Sequence, residues 1–163
     1  MLHSRSKGLY LLITCFLVWG ITGCQKKVEI KTYSQMDQVI YPALLSQEEK
    51  SYLVFFYGNT CSACEELEPL LCEYASLAKN KKGYLPLYCL NTSNNRVNEG
   101  IIATGGDESY KNFVGTNIYK DIKIATTPAL IVVESGRVTK LISTKSTQTP
   151  KTDIKNYITN LKK

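Results

Sequence analysis

Residues 52–64 read YLVFFYGNTCSAC, and this stretch decides the fold. Its first half, YLVFFY, is a continuous apolar run, which is typical of a central strand buried on both faces. Gly58, Asn59 and Thr60 end that run, and the chain from Cys61 to about Asn80 follows a helical pattern. The apolar positions on one face of this helix are Leu67, Leu70, Leu71, Tyr74, Ala75 and Ala78. The sequence therefore predicts a buried strand, a short loop and a long helix that begins at Cys61.

Cys61 and Cys64 have the spacing of a redox dithiol at the start of this helix. Unpaired backbone N–H groups and the positive end of the helix dipole stabilise a thiolate on Cys61, and the thiolate is the nucleophile in disulfide exchange. Cys64 lies one turn further along, where it can resolve a mixed disulfide by attacking Cys61. We therefore expect both to be catalytic residues that form a redox-active disulfide and need no further cofactor.

Histidine and tryptophan are scarce in the chain. The single histidine, His3, and the single tryptophan, Trp19, both lie in the first 23 residues. A mature protein without that segment has no histidine for a Ser/His/Asp site or a His-ligated zinc site. A CxxC motif is also half of a zinc site, but no second one follows, so we expect no metal. The net charge is +6 with the basic residues scattered, so we also expect no nucleic-acid partner.

The amino terminus has the order of an export signal. Residues 1–7 carry Arg5 and Lys7 without an acid, and residues 8–23 form an uncharged apolar stretch that ends in small residues. This stretch is shorter than the roughly 20 residues that a membrane-spanning helix needs, which favours cleavage. The motif Ile21-Thr22-Gly23-Cys24 resembles the bacterial lipobox, so we predict a lipoprotein signal peptide at residues 1–23 and lipidation of Cys24. The acyl chains would hold the protein on the extracytoplasmic face of the cell membrane.

The rest of the chain is predicted to alternate strands and helices. Residues 24–33 are expected to form a linker that leads into a first strand near residues 28–31, and a helix is predicted over residues 35–45. Further strands are predicted at residues 84–90, 129–133 and 137–142, with the last two joined by a turn at Ser135-Gly136. The other predicted segments are a loop at 91–106, a short helix at 108–119, a linker at 143–148 and a last helix capped by Thr149 and Pro150.

Over most of residues 28–161 these features resemble the thioredoxin superfamily. The YLVFFY strand, the CSAC motif, Pro69 and Thr127-Pro128 before an apolar strand all stand in the family's order. The resemblance implies a thioredoxin-like α/β domain at residues 34–163, with a central mixed sheet flanked by helices. It also implies that Pro128 is a cis proline facing the dithiol and that Thr127 offers its backbone to an extended substrate peptide.

Several positions depart from the family's pattern. Thioredoxin has a buried Asp six residues before its first cysteine that is thought to take the proton of the second. That position is Phe55 here, so the proton acceptor for Cys64 is unassigned. The usual Trp before the first cysteine is Thr60, and Ser62-Ala63 has neither the Pro of reductases nor the His of strong oxidases.

Three glutamates, Glu65, Glu66 and Glu68, follow the dithiol. Anions near Cys61 disfavour its thiolate, which would make the couple reducing or intermediate. Alternatively, the three carboxylates only form a solvated helix face.

The remaining cysteines divide by position. Cys15 leaves with the signal peptide, which leaves Cys72 on the helix and Cys89 at the end of the next predicted strand. Export to an oxidising compartment makes a disulfide possible between them if the helix packs on that strand. Two separate buried thiols are the alternative.

These observations predict a membrane-anchored extracytoplasmic thiol-disulfide oxidoreductase. Its partners would be cysteine-containing exported proteins, a membrane or extracytoplasmic redox partner, and the lipid bilayer through the acyl anchor. One alternative is a thioredoxin-like binding module in which the CSAC disulfide is structural. A narrower alternative resembles the thioredoxin-like accessory proteins of bacteriocin or conjugation systems, which would serve one client.

Overall fold

The computed structural model describes residues 27–94, 98–102, 113–142 and 150–162. Within these ranges the chain forms five β-strands, two α-helices and three short 3-10 turns. The strands and helices are β1 Asp37–Gln38, β2 Ser51–Tyr57, α1 Ser62–Asn80, β3 Leu87–Asn91, β4 Ala129–Glu134, β5 Arg137–Ile142 and α2 Pro150–Leu161. The 3-10 turns are Tyr33–Gln35, Tyr41–Ala43 and Tyr119–Asp121.

The five strands form one mixed sheet in the order β1-β3-β2-β4-β5. β3 runs parallel to both β1 and β2, whereas β4 is antiparallel to β2 and to β5. β2 is therefore the central strand, and Phe55 pairs with Cys89 on one side and with Leu130 on the other. This arrangement confirms the thioredoxin-like α/β fold. It also confirms that the YLVFFY run is a central strand, which is buried from Tyr52 to Phe56 and partly exposed at Tyr57.

Alternate residues of β2 point to opposite faces of the sheet, so this strand contributes to two cores. Leu53 and Phe55 belong to the core that lies under both helices. Tyr52, Val54 and Phe56 belong to the opposite core. In the described part of the chain, that second core is covered by irregular segments and 3-10 turns at 39–45, 101–102 and 113–124. Both α-helices thus pack on the face of the sheet to which Leu53 and Phe55 point, and Cys64 is buried in the core between them and the sheet.

The elements that flank the central strand agree with the sequence patterns. α1 spans Ser62–Asn80 with Pro69 inside it. β4 and β5 form the predicted hairpin, in which Ser135 and Gly136 have φ values of 51° and 71°. Positive φ at both central residues gives a turn whose twist matches that of the strands. The predicted strand at 84–90 begins only at Leu87, directly after Pro86, and ends at Asn91.

Two predictions for the amino-terminal part are wrong. Residues 28–31 form no strand, and residues 35–45 form β1 between two 3-10 turns in place of a helix. The apolar residues of this segment serve opposite cores, since Met36 packs on the helix side and Val39 on the other. The backbone N–H of Val39 donates to the carbonyl of Cys89 at 2.9 Å, so the chain runs extended beside β3. Pro42 has no N–H to close a helical turn.

Some predictions lie partly or wholly outside the described residues. These are the signal peptide and Cys24, the start of the linker at 24–33, part of the loop at 91–106, the linker at 143–148, Thr149 and residues 108–112 of the helix predicted at 108–119. The described end of that last segment is not α-helical, because residues 113–118 are irregular and Tyr119–Asp121 is a 3-10 turn. Within the described ranges, no helix is long and apolar enough to cross a membrane.

Candidate active site

Cys61 is the N-terminal cap of α1, four residues after the end of β2. Its carbonyl accepts hydrogen bonds from the backbone N–H groups of Cys64 at 3.0 Å and Glu65 at 3.1 Å. Its sulfur also accepts from the N–H of Cys64, at 3.2 Å. An N–H group of the first helical turn is thus directed at the Cys61 sulfur, at the positive end of the helix dipole, which is the arrangement that stabilises a thiolate on this residue.

Cys61 and Cys64 are joined by a disulfide, and their Cα atoms are 5.2 Å apart. Cys61 is partly exposed, whereas Cys64 is only 1% exposed. A thiolate from solvent can therefore reach the sulfur of Cys61 but not that of Cys64. This asymmetry suits the roles expected from the sequence, with Cys61 as the sulfur that exchanges with substrate and Cys64 as the one that resolves.

Thr127 and Pro128 lie at the same end of the sheet as the dithiol. The Thr127-Pro128 peptide bond is cis, as the family resemblance implied. β4 begins at the next residue, Ala129, which pairs with Phe56 near the end of β2. A Cβ atom placed on Gly58 would lie 3.5 Å from the hydroxyl oxygen of Thr127, so Thr127 flanks the loop that leads to Cys61.

A second loop, directly after β3, holds the loop before Cys61 in place. The backbone N–H of Asn59 donates to the hydroxyl of Ser93, and the side-chain amide of Asn91 donates to the side-chain oxygen of Asn59, both at 2.9 Å. The N–H of Thr92 donates to the carbonyl of Tyr57 at 2.8 Å. The sequence predicts only a loop here, although the run Asn-Thr-Ser directly after an apolar strand is a signal for such bonds.

The residues predicted as a linker, 28–33, lie along α1 and are called the strap below. They follow a ridge of α1 residues that stand four apart and wind gradually around the helix, and this ridge is called the α1 stripe. The α1 stripe consists of Cys64, Glu68, Cys72, Ser76 and Asn80.

Backbone groups of the strap bind polar side chains of the α1 stripe. The N–H of Val28 donates to the side-chain oxygen of Asn80 at 2.9 Å, and the Asn80 amide returns a bond to the Val28 carbonyl at 2.7 Å. The N–H of Ile30 donates to the hydroxyl of Ser76 at 2.9 Å. These bonds pair the backbone of Val28 and the N–H of Ile30 with α1 in place of a neighbouring strand, and residues 28–31 lie outside the sheet.

Tyr33 ends the strap and connects it to the dithiol. Its N–H donates to Oε1 of Glu68 at 2.7 Å, and its hydroxyl donates to the carbonyl oxygen of Cys64. Its ring packs on Phe55 and Tyr57, with centroid distances of 5.4 and 4.8 Å. Burial is the main cause that raises the pKa of Tyr33, so its hydroxyl stays protonated as a donor.

Tyr33 is a residue of the site that no sequence motif singles out. Ile30, Tyr33 and Met36 are three residues apart in an otherwise polar stretch, and all three are buried against the helix side of the sheet. This spacing was the available signal, but it did not show which element the residues pack against.

Cys72 and Cys89 are two separate buried thiols, which decides between the two alternatives left open by the sequence. Burial, and then the nearby carboxylate of Glu68, raises the pKa of Cys72 to about 11. Burial also raises the pKa of Cys89 well above its usual value. The sulfur of Cys89 lies 3.0 Å from the sulfur of Met36. Both thiols are therefore neutral near pH 7 and poor nucleophiles.

Comparisons with known proteins add the following findings. No family model matches the chain, and no curated protein matches it. A chain from a study of the thiol resolving mechanism in yeast mitochondrial 1-Cys peroxiredoxin has a TM-score of 0.49 and 10% identity, with 79% of this chain and 98% of that chain covered. Mitochondrial thioredoxin 3 from Saccharomyces cerevisiae, in its oxidized form, has a TM-score of 0.47 and 11% identity over 78% of this chain and 97% of that chain. A mutant thioredoxin from Halobacterium salinarum has a TM-score of 0.41 and 14% identity over 73% of this chain and 80% of that chain.

Proposed function

We propose that the protein is a membrane-anchored extracytoplasmic thiol-disulfide oxidoreductase that exchanges disulfides with cysteine-containing exported proteins. The observation that carries this proposal is the asymmetric pair at the start of α1. Cys61 is partly exposed, its sulfur accepts a hydrogen bond from the N–H of Cys64, and it is bonded to the buried Cys64. A disulfide with a structural role alone would not need this exposure.

In the reducing direction, the Cys61 thiolate attacks a substrate disulfide, and one substrate sulfur leaves as a thiolate. The bond that remains is a mixed disulfide between Cys61 and the substrate. Cys64 then loses its proton and attacks the sulfur of Cys61, which releases the second substrate thiolate and forms the Cys61–Cys64 disulfide. Two electrons pass from the dithiol to the substrate, and a membrane or extracytoplasmic redox partner restores the dithiol. The oxidising direction is the same sequence in reverse.

Thr127 and Pro128 are proposed to bind the substrate. Thr127 lies beside Gly58 in the loop before Cys61, so a peptide with its cysteine at Cys61 passes the backbone of Thr127. An extended peptide that forms hydrogen bonds with this backbone adds a short strand next to the dithiol. These bonds position the reacting sulfur of the peptide and do not depend on the identity of the peptide's side chains.

The anchor is proposed to be a lipid on Cys24. Cys24 stands four residues before Val28, where the strap is first bonded to α1. Four residues of extended chain span at most about 14 Å, so a lipidated Cys24 holds the domain close to the bilayer. Substrates and the redox partner would then be met at the membrane surface.

Trapping of mixed disulfides tests the redox function. Cys64→Ala removes the resolving thiol, so exported proteins should accumulate as mixed disulfides on Cys61 and be visible on non-reducing gels. Cys61→Ala, the matched control, should trap none. Absence of trapping in both variants supports the binding module, and one dominant trapped protein supports a client-specific accessory role.

Processing of Cys24→Ala tests the anchor. The substitution removes the acylated thiol, so the protein should be unprocessed or shed into the medium. A processed Cys24→Ala protein that stays in the membrane fraction like the unsubstituted protein contradicts lipidation.

A further inference from the structure

Cys64 must lose a proton before it can resolve a mixed disulfide, and its surroundings are poor in water. It is 1% exposed, and Phe55, on the central strand, gives no proton acceptor. Glu65 and Glu66, the nearest acids in sequence, are exposed. A base for Cys64 therefore has to reach it from another position.

Glu68 follows Cys64 by four residues on the α1 stripe and is half-buried. Residues four apart on a helix are direct neighbours, with about 5–6 Å between their Cβ atoms. Tyr33 contacts both residues, since its N–H binds Oε1 of Glu68 and its hydroxyl binds the carbonyl of Cys64. A carboxylate has two oxygens, so Oε2 can take up a proton while Oε1 keeps its bond to Tyr33.

We infer that Glu68 is the proton acceptor for Cys64 and that the backbone N–H of Tyr33 holds it in place. This inference rests on the proposed function and assigns a residue to its resolution step. Tyr33 is a positioning residue, because it acts through Glu68 and through the carbonyl of Cys64.

In the step itself, the S–H bond of Cys64 breaks and its proton passes to Oε2 of Glu68. The electron pair left on the Cys64 sulfur forms the bond to Cys61, and the bond between Cys61 and the substrate sulfur breaks. The substrate leaves as a thiolate and is protonated by solvent. Glu68 returns its proton to solvent before the next cycle.

The other titratable groups near Glu68 do not compete for this role. On the strap, Lys31 and Glu29 are exposed and lie 3.6 Å from each other. The groups that interact electrostatically with Glu68 from the strap, β2, α1 and β3 all have a raised pKa, mainly because they are buried. These are Tyr33, Tyr57, Cys72 and Cys89. They stay protonated near pH 7 and so cannot accept a proton.

The experiment isolates the resolution step with dithionitrobenzoate, an aromatic disulfide that releases a coloured thiolate. Reduced protein releases one thiolate when Cys61 forms the mixed disulfide and a second when Cys64 resolves it. The second phase is followed by stopped flow between pH 4 and 9, at reagent concentrations on which its rate does not depend. Cys64→Ala fixes the amplitude of the first release alone.

Glu68→Gln should slow the second release at pH 7 by about a hundredfold, the loss of a general base, while the first release is retained. Glutamine keeps an oxygen that accepts from Tyr33, so the strap contact is preserved. Glu65→Gln removes an equal charge from an exposed position one turn earlier and should not slow the second release. If Glu68 were only a negative charge, its removal would ease ionisation of Cys64 and speed the release.

A second release from Glu68→Gln that is as fast as that of the unsubstituted protein, or faster, overturns the inference and leaves the proposed function intact. Unsubstituted protein that releases one thiolate, as Cys64→Ala does, overturns both. If circular dichroism shows that Glu68→Gln does not fold, the inference is tested by the pH dependence of the second release in the unsubstituted protein. A rate that falls in acid where carboxylates are protonated supports the acceptor, and a rate that follows thiol ionisation alone overturns it.

Discussion

The two cysteine pairs of the domain differ in burial and in chemical state, although Cys64 and Cys72 share one stripe of α1. Cys61 and Cys64 stand at the helix start and form a disulfide, and Cys61 is partly exposed. Cys72 and Cys89 are free thiols in the core under the helices. The pair at the start of the helix is bonded and accessible through Cys61, whereas the pair in the core is buried and unbonded. The location of a cysteine in the fold therefore decides its chemical state.

The physical cause differs for each pair. At the helix start, backbone N–H groups compensate a negative charge on sulfur, as the bond from the Cys64 N–H to the Cys61 sulfur shows. In the core, burial penalises the same charge, and Glu68 adds to the penalty at Cys72. Cys72 borders a groove of about 590 Å³ between the strap and α1, yet it is only 3% exposed. A nearby opening therefore does not make this thiol reactive.

The largest expected difference between the pairs is their rate of alkylation. At pH 7.5 a thiol with a pKa of about 11 is ionised about 300-fold less than an ordinary thiol with a pKa of about 8.5. After mild reduction, iodoacetamide should label Cys61 at least about 300-fold faster than Cys72, as measured by mass spectrometry of peptides. In denaturant, all four thiols should react at similar rates. Labelling of Cys64 before Cys61 would reverse their roles, and equal labelling of Cys72 would remove the distinction.

A smaller difference concerns stability at alkaline pH. The unfolded chain releases the Cys72 proton near pH 9, whereas the folded protein keeps it until about pH 11. The unfolded state then binds fewer protons, so the stabilisation is complete below pH 9 and is lost as pH rises to 11. We expect the free energy of unfolding of the oxidised protein, measured with urea, to fall by on the order of 2 kcal/mol over this pH range.

Substitutions separate the contribution of Cys72 from the general alkaline trend. Cys72→Ala should flatten the fall between pH 9 and 11. A double Cys61→Ala, Cys64→Ala variant should keep it, because the disulfide-bonded pair does not titrate. Identical slopes for Cys72→Ala and the unsubstituted protein would contradict the raised pKa.

The smallest expected effect is on the reduction potential of the CSAC pair. Typical potentials of thioredoxin and of a strong periplasmic oxidase are about −270 and −120 mV, and this couple should lie below their midpoint of about −195 mV. Glu65→Gln with Glu66→Gln removes two exposed anions, each expected to contribute about 0.3–1 kcal/mol against the Cys61 thiolate. The potential should therefore rise by about 10–40 mV in glutathione equilibration.

Glu73→Gln is the matched control, because Glu73 lies on the same helix but pairs with Lys162 at 2.6 Å. It should leave the potential unchanged within a few millivolts, about the resolution of the method. An unsubstituted protein above about −150 mV would mean that the backbone N–H groups outweigh the glutamates and that the protein donates disulfides.

The parts of the fold predicted correctly depend on local patterns. β2 and α1 follow from an apolar run, a glycine break and a helical repeat within residues 52–80. The β4–β5 hairpin follows from Ser135-Gly136 between two apolar stretches. Each signal involves residues that are neighbours in sequence, so the backbone conformation that they favour is also the one found in the fold.

The failures lie where local and tertiary preferences disagree. Met36 and Val39 have the spacing of a helix face, but the sheet takes them into opposite cores. The strap has the composition of a linker, but it finds hydrogen-bond partners on α1, as Val28 does with Asn80. Local composition and periodicity do not predict that Val28 binds Asn80, which is 52 residues away in sequence.

The sequence by itself determined which cysteines form the dithiol and where their helix begins. Cys61 caps the helix by accepting hydrogen bonds from N–H groups that belong to the next few residues of the chain. Only the tertiary structure decided that Cys72 and Cys89 stay apart and that Tyr33 joins Glu68 to Cys64. These outcomes depend on contacts between residues that are far apart in sequence: Tyr33 and Cys64 are separated by 31 positions, and Met36 and Cys89 by 53. Such contacts form only when the sheet packs against α1, and no local pattern specifies them.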